Sequence, residues 1–282
     1  MNRNLAILHI GIFLLSFPAL FAKGIDIPAG VLSWWRCLFG AVVAFSVLFM
    51  TSKSKVAKDK LKWLAITGCL MGLHWWTYFT SVQYSTVAIG ILALFTYPII
   101  VVILEPLFFK TKYSIKQVVG GAGIILGVYF LVPEFSLENK ITIGVIIGVL
   151  SAVFFAIRNI LTRKYLNSVP AFTTMSYHVA FAFLVLSISL FSGIEKFQIP
   201  TINEAGLILI LGTAFTLGSH GLIVYSLKNF SAATVSILGS LQVLYGAILA
   251  FFIFAELPNM NFYIGAVIIL GIATYEMLPL KK

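Results

Sequence analysis

Two histidines, His74 and His220, stand near the middle of long apolar stretches of the chain. An ionisable side chain at the centre of a membrane-spanning helix costs about 2.5–3.5 kcal/mol, so each one indicates either a functional site or a local partner. Neutral histidine offers one hydrogen-bond donor and one acceptor, and its ordinary pKa near about 6.5 permits proton exchange. The pair predicts either the lining of a solute cavity, with proton coupling as a further hypothesis, or two packing contacts between neighbouring helices.

Polar and aromatic residues near these histidines extend the candidate site. Tyr78 follows His74 by one helical turn, and Gln242 and Tyr245 share a helix face at i, i+3 spacing. Aromatic walls with sparse hydrogen-bonding groups suit a small amphipathic or zwitterionic solute. The candidate substrate-binding residues of this group are Tyr78, Thr96, Tyr97, Gln242 and Tyr245.

Arg36 is a permanent cation inside another apolar stretch, and His178 occupies the corresponding place in the second half of the chain. Two interpretations stay open for both: contact with a charged or polar group of the solute, or a structural contact such as stacking on a neighbouring aromatic ring. Glu105 and Arg158 also allow two interpretations, an ion pair that closes one end of the site or two independent interfacial residues.

The composition is that of a membrane protein. Hydrophobic residues make up 60 % of the chain, charged residues make up 10 %, and the mean hydropathy is +1.04, whereas soluble domains contain about 25 % charged residues. The net charge of +10 does not indicate nucleic-acid binding, because the basic residues lie in short gaps between apolar stretches. Cys37 and Cys69 both lie inside apolar stretches, which disfavours a disulfide framework.

Ten apolar stretches are long enough for helices that cross a hydrocarbon core of about 30 Å. The gaps between them are short and carry proline, glycine or asparagine, so no separate soluble domain is expected. The sequence therefore predicts an all-α membrane protein with ten transmembrane helices. Their approximate limits are 5–22, 29–50, 62–81, 86–108, 115–132, 141–161, 170–191, 205–226, 231–254 and 261–279.

Basic residues are distributed unequally between the two sides of these predicted spans. The side on which the chain begins receives most lysines and arginines, including the group between Lys53 and Lys62. The other side receives only Lys23, Lys140 and Lys196 together with most of the carboxylates. The preference for basic residues in cytoplasmic loops then predicts that both termini are cytoplasmic and that the protein lies in the cytoplasmic (inner) membrane.

A near-copy within the chain indicates an internal repeat. The stretch Gly121–Gly127 recurs with one change as Gly265–Gly271, and a similar offset aligns His74 with His220. Two units of five helices, residues 1–135 and 136–282, each contain an odd number of spans, so they must insert with opposite orientation. The chain is therefore predicted to form two inverted-topology five-helix repeats, with the two histidines on facing halves.

Several residues match the pattern of a known family: Arg36 in span two, Ser85-Thr86-Val87-Ala88 and Ser231-Ala232-Ala233-Thr234 at the starts of spans four and nine, Glu256, and Gly265–Gly271. The chain resembles the drug/metabolite transporter superfamily in its ten-helix EamA-type branch. The resemblance implies a secondary transporter that moves small metabolites, often amino acids or related compounds and frequently outward, by alternating exposure of a central cavity. The chain departs from the pattern where Lys110-Thr111-Lys112 replaces the acidic residue expected after span four, which makes the two halves unequal.

The expected function is secondary active export of a small amino-acid-like or amphipathic metabolite. An enzyme is not expected, because the sequence lacks motifs for nucleophilic, phosphate or metal chemistry; neither a cofactor nor a metal is expected. The expected partners are a small-molecule substrate, the lipid bilayer and protons as a coupling ion, with no nucleic acid, and the protein is expected to be a monomer or a homodimer. An uncoupled facilitator and a non-transporting scaffold stay open. A cavity that touches both histidines favours transport, and a packed interior favours the scaffold.

Overall fold

All regular secondary structure in the described part of the chain is helical. The computed structural model describes residues 3–51, 56–110, 115–131, 136–226, 229–230 and 238–277. A π-helical segment, Thr213–Gly218, joins α10 to α11. The helices, in chain order, are α1 (Arg3–Leu15), α2 (Phe17–Gly24), α3 (Ala29–Met50), α4 (Lys58–Tyr84), α5 (Val87–Leu94), α6 (Tyr97–Phe109), α7 (Ile115–Leu131), α8 (Lys140–Tyr165), α9 (Ala171–Phe191), α10 (Ile202–Gly212), α11 (Ser219–Ser226), α12 (Leu241–Phe254) and α13 (Met260–Met277).

Two of the predicted spans are each divided into two helices near a proline. α1 and α2 meet just before Pro18, and α5 and α6 meet just before Pro98. Proline lacks a backbone N–H and its ring clashes with the preceding turn, so a continuous helix does not form through these positions. At the second break the Thr96 hydroxyl donates to the Ala93 carbonyl (2.8 Å), which satisfies part of the freed backbone. Both breaks lie in the protein interior, where such backbone groups can find partners.

The described helices are those of a membrane protein. Six segments are long and apolar enough, by length and composition, to cross a membrane, and α12 and part of α13 are shorter apolar helices. α4 is longer, with 27 residues, but its first turn contains charged side chains. These observations confirm the predicted all-α membrane class. The six segments are Arg3–Gly24, Ala29–Met50, Val87–Phe109, Lys140–Tyr165, Ala171–Ile188 and Ile202–Ser226.

The repeated glycine stretch lies where α7 packs against α13. A Cβ atom on Gly127 would lie 2.5 Å from the Cγ1 atom of Ile269, and one on Gly265 would lie 3.0 Å from the carbonyl oxygen of Gly127. Small residues allow helices to approach this closely inside a membrane. The two copies of the motif therefore form a packing surface between the fifth and tenth spans.

A second pair of glycines lies where α3, which carries Arg36, crosses α10. A Cβ atom on Gly212 would lie 2.6 Å from the Arg36 carbonyl oxygen, and one on Gly40 would lie 3.1 Å from the Gly212 carbonyl oxygen. Both contacts involve backbone atoms, which cannot move aside as the tip of a side chain can. The crossing therefore positions Arg36 relative to the second half of the chain.

Gly212→Ala is expected to lower the melting temperature of the purified protein in detergent by several degrees, because the added methyl group collides with the Arg36 carbonyl oxygen. Overpacking of this kind costs about 1–3 kcal/mol. Gly206→Ala is the matched control, since Gly206 lies in the same helix and an added Cβ would have nothing within 4 Å. Equal melting temperatures for the two variants would contradict the close crossing.

Candidate functional site

A cavity of about 410 Å³ lies between helices of both halves of the chain. Its volume falls in the range of about 300–1,000 Å³ that is typical of small-molecule sites. Both central histidines touch this one cavity, which is the arrangement that favours transport over a packed scaffold. Six of the nine candidate residues line it, from five helices: Arg36, His74, Tyr78, Tyr97, His220 and Gln242.

The other three candidate residues lie outside the cavity lining. Thr96 is buried at the break between α5 and α6. Tyr245 packs edge-on against Phe13, with ring centroids 5.5 Å apart. His178 is fully buried behind the cavity wall and hydrogen-bonds to Thr67 and to Arg158. All three side chains contribute to packing around the cavity.

His74 is held by Ser151 of α8. The Ser151 hydroxyl donates to the His74 carbonyl (2.8 Å), and the same Oγ atom lies 2.8 Å from Nδ1 of the His74 ring. Because the hydroxyl hydrogen is used on the carbonyl, Oγ can only accept from Nδ1, so a neutral ring carries its hydrogen on Nδ1. The ring stacks near Tyr78 and Phe155, with centroids 5.9 and 4.6 Å away. Nε2 of His74 is then left as an acceptor on a residue that lines the cavity.

His220 lies at the start of α11, directly after the π-helical segment. Within that segment the Thr216 hydroxyl donates to the Leu211 carbonyl, five residues earlier (2.7 Å). π-helical turns are frequent at functional sites, where they change the direction in which side chains point. The His220 ring lies 5.8 Å from the ring of Trp75, the residue that follows His74. Trp75 therefore connects the two histidine positions.

Arg36 contacts two aromatic rings. Its guanidinium carbon is 4.2 Å from the ring centroid of Trp75 and 4.4 Å from that of Phe79. Cation–π contacts of this kind contribute about 2 kcal/mol when they are desolvated. Arg36 is only 1 % exposed, and its Nε and Nη2 atoms have no hydrogen-bond acceptor among the described residues. Arg36 therefore stacks on aromatic rings, as one of the two interpretations expects, and two of its donors have no acceptor among the described residues.

Arg158 of α8 also lines the cavity, and a hydrogen-bonded chain holds it in place. Nη1 of Arg158 donates to Asn159 Oδ1 (2.7 Å) and Nη2 donates to His178 Nδ1 (3.0 Å). Arginine has no acceptor, so His178 Nδ1 must accept, and the ring hydrogen lies on Nε2, which donates to Thr67 Oγ1 (2.8 Å). The Thr67 hydroxyl in turn donates to the Trp63 carbonyl (2.6 Å). His178 thus positions Arg158 from behind the wall of the cavity.

The cavity opens toward one side of the protein. We define the basic side as the side on which α1 and α4 begin and α8 ends. At this side the lining includes Arg163 and Asn167, which are exposed. Toward the opposite side the lining residues Pro18, Tyr78 and Phe95 are all buried. The cavity is therefore open to the basic side and closed to the opposite side.

Glu195, in the loop between α9 and α10, contacts the start of α3 on the opposite side. Its Oε2 atom accepts the backbone N–H groups of Gly30 (2.8 Å) and Val31 (3.1 Å), and its Oε1 atom accepts the Trp76 indole N–H (2.7 Å). A carboxylate is favourable here because the first N–H groups of a helix have no partner within the helix and carry partial positive charge. A Cβ atom on residue 30 would lie 2.7 Å from Oε2, so glycine at this position permits the contact.

Glu256 makes the same kind of contact at the start of α5. It follows α12 and accepts the Val87 N–H (2.9 Å). Burial raises the pKa of the Glu256 carboxyl, while the Val87 N–H and the ammonium of Lys23 oppose the rise. Lys23 itself donates to the Ser85 carbonyl (3.0 Å). Glu195 and Glu256 come from the second half of the chain and both helix starts from the first, so the two contacts join the halves on the opposite side.

Sequence reasoning missed the roles of these glutamates and of Arg158. A lone acidic residue in a short loop indicates a surface position, and each helix start that the glutamates contact lies more than a hundred residues away in sequence. For Arg158 the signal was its charge within an apolar stretch, the same signal that selected Arg36. The hypothesis of an ion pair between Glu105 and Arg158 is not addressed, because the Glu105 side chain lies outside the described residues.

Comparison with known proteins identifies the family. The sequence pattern described as the EamA-like transporter family matches residues 5–132 and 142–275. The chain belongs to this family. The match confirms the resemblance to the drug/metabolite transporter superfamily and the ten-helix class built from two EamA repeats. The division of the chain between residues 135 and 136 stays a prediction.

Several curated proteins are similar to this EamA-family chain along most of its length. An S-adenosylmethionine uptake transporter of Rickettsia felis is 26 % identical, over 97 % of this chain and 93 % of the relative. Solute carrier family 35 member G1 of Homo sapiens is 26 % identical, over 88 % and 71 %. The pseudopaline exporter CntI of Pseudomonas aeruginosa is 23 % identical, over 86 % and 84 %. The names of these relatives are those of an uptake transporter, a solute carrier and an exporter.

The fold is also found in a solved crystal structure. That chain superposes with a TM-score of 0.64 over 98 % of this chain and 96 % of its own length, at 18 % sequence identity. The likeness supports the arrangement of helices alone. The family match makes this protein a multi-pass membrane transporter of the EamA-like family.

Proposed function

We propose that this protein is a secondary active transporter that exports a small organic metabolite by alternating access. The observation that carries the proposal is one cavity lined by both halves of the chain, open to the basic side and closed to the opposite side. The contacts of Glu195 and Glu256 join the halves where the cavity is closed. Movement of residues 1–135 against residues 136–282 breaks these contacts and exposes the cavity to the opposite side.

Contact with the solute is assigned to the cavity residues Arg36, His74, Tyr78, Tyr97, His220 and Gln242. Thr96, Tyr245 and His178 are assigned supporting roles. Proton coupling is assigned to His74 or His220, because both are histidines that line the cavity on facing halves. Nε2 of His74 is the acceptor through which a proton would enter.

The basic side is proposed to be the cytoplasmic side of the inner membrane, which places both termini in the cytoplasm. The distribution of lysine and arginine supports this orientation. A cysteine placed between Lys53 and Lys62 is expected to stay unlabelled when an impermeant maleimide is added outside intact cells. Labelling should appear once the cells are permeabilised. Ready labelling from outside would show the opposite orientation, in which the cavity opens to the outside of the cell.

Uptake is the second candidate, and the names of the rickettsial relatives favour it. A carrier that works by alternating access is reversible, so the same cavity serves either direction, and the coupling ion decides which one prevails. The pseudopaline exporter is the relative whose name favours export.

The test is counterflow in proteoliposomes that contain the purified protein, across a panel of metabolites, with and without a pH gradient. The parent is expected to exchange at least one solute, and His74→Ala and His220→Ala are expected to lose most of the exchange or its dependence on the pH gradient. Tyr84→Phe is a matched control, since Tyr84 is exposed at the end of α4 and lies outside the cavity lining. Parental rates and parental pH dependence in both histidine variants would show that the site is elsewhere.

A further inference from the structure

The charged residues described in the cavity lining are all positive. Arg36 and Arg158 line it at 1 % and 4 % exposure, and Arg163 lies at its mouth. None of the described lining residues is aspartate or glutamate. Neither buried arginine forms an ion pair with a carboxylate that the structure describes. Resting on the transport function proposed above, we propose that the solute is an organic anion whose carboxylate binds the Arg36 guanidinium.

Buried cations without a counter-charge are expensive, because removal from water costs more than neutral contacts return. Arg36 is partly stabilised by cation–π contacts with the rings of Trp75 and Phe79. Among the described residues, the hydrogen-bond partners of Arg158 are all neutral: Asn159, His178 and the Met175 sulfur. No carboxylate among the described residues thus compensates the positive charge of the cavity, and an entering anion supplies a counter-charge.

The unused donors of Arg36 have the geometry that a carboxylate needs. Nε and Nη2 lie on the same edge of the guanidinium, and this edge donates two parallel hydrogen bonds to the two oxygens of a carboxylate. The Tyr78 hydroxyl also has no partner among the described residues, and Tyr78 lines the same cavity as Arg36. Three donors are therefore available near the closed end of the cavity. These atoms are buried in the empty protein, so the anion binds as the surrounding side chains adjust.

The remaining walls define the rest of the solute. Phe95, Tyr97, Phe155 and Phe230 provide apolar surface in the same cavity. A solute with a carboxylate joined to an apolar or aromatic body matches both the donors of Arg36 and these apolar walls. An ammonium group finds no carboxylate among the described lining residues, so the preferred solute is an organic acid rather than the corresponding amino acid or amine.

The test compares ligands that share one apolar body and differ in charge. One series consists of phenylpyruvate, phenylalanine and phenethylamine, and the other consists of isocaproate, leucine and isoamylamine. S-adenosylmethionine, which is a net cation at neutral pH, is tested as well because relatives are named for it. Binding to the purified full chain is measured by thermal shift at constant ionic strength, and each ligand also competes in the counterflow assay. The acid of each series is expected to bind at least about 10-fold more tightly than the amine, with the amino acid between them.

Arg36→Gln is expected to remove most of this preference and to weaken binding of the acids at least about 10-fold, because the fork of charged donors is lost. Tyr78→Phe is expected to weaken the acids by a smaller factor. Lys60→Gln is the matched control, since it removes one positive charge at the start of α4, outside the cavity lining. If Arg36→Gln fails to fold, the ranking of the ligands on the parent still decides the proposal.

Tighter binding of the amines, of S-adenosylmethionine or of the amino acids to the parent overturns the proposal, and so does an absence of binding by both acids. Either result leaves transport itself intact as long as counterflow of some solute is measured. Tight binding of the acids without any counterflow has the opposite meaning: the anion site exists, and the proposed transport function is wrong.

Discussion

Glu195→Ala is expected to open the opposite side of the protein. The carboxylate accepts three hydrogen bonds, from Gly30, Val31 and Trp76, in the state that is closed on this side. Hydrogen bonds to a charged group contribute about 1.5–3 kcal/mol each, and the partial exposure of Glu195 reduces this value. A loss of about 3 kcal/mol from the closed state alone changes the ratio of closed to open protein roughly 150-fold.

Cysteine labelling measures this shift directly. Ser33 of α3 is fully buried near the Glu195 contact, so Ser33→Cys, in a protein with Cys37 and Cys69 replaced, reports access from the opposite side. An impermeant maleimide added on that side is expected to react many times faster in the Glu195→Ala variant. Glu138→Ala is the matched control, because it removes an exposed carboxylate on the same side. Equal labelling rates in the parent and both variants would mean that Glu195 does not hold this side closed.

Gly30→Ala separates the contact from the charge. The added Cβ would lie 2.7 Å from Glu195 Oε2 and 2.9 Å from Trp76 Nε1, so it displaces the carboxylate without removing it. We expect faster labelling at Ser33→Cys in this variant as well. If labelling is fast in the Glu195→Ala variant but slow in the Gly30→Ala variant, the effect comes from the charge of the loop and not from the hydrogen bonds at the helix start.

The class and order of the helices could be predicted from the sequence because lipid imposes a simple rule. A helix that crosses the bilayer needs about 20 apolar residues, and stretches of that length can be counted. The repeat was visible because Gly127 and Gly265 must stay small where α7 and α13 meet. Pro18 and Pro98 indicate that their spans bend, but not that each span divides into two helices, because the depth of a break depends on what satisfies the freed carbonyls.

The candidate site could be predicted in part for a related reason. Ionisable groups are rare inside lipid, so His74, His220 and Arg36 stood out, and all three line the cavity. Helices that are apolar all round do not reveal which face is interior. Tyr245 was therefore assigned to the cavity from its spacing to Gln242, although it packs against α1. The Glu195 contact has no local signature, because its partners lie 119 to 165 residues away in sequence.

His178→Ala is expected to destabilise the protein more than any single change to the cavity lining. The substitution leaves Arg158 Nη2 and Thr67 Oγ1 without their shared partner in a fully buried position. An unsatisfied buried group costs about 1–3 kcal/mol, with more for a charged one, and the lost imidazole leaves a void that adds to the cost. A total of about 3 kcal/mol corresponds to a fall in melting temperature of roughly 6–12 °C for a chain of this size.

His178→Gln distinguishes a positioning role from contact with the solute. A glutamine amide can accept from Arg158 through its oxygen and donate to Thr67 through its nitrogen, so it can replace both hydrogen bonds without a titratable group. We expect this variant to recover most of the stability lost in His178→Ala, and to keep the parental dependence of counterflow on pH. His220→Gln, in contrast, is expected to change that dependence, because His220 lines the cavity. A stable His178→Gln protein whose counterflow no longer responds to pH would show that His178 takes part in proton movement and does more than position Arg158.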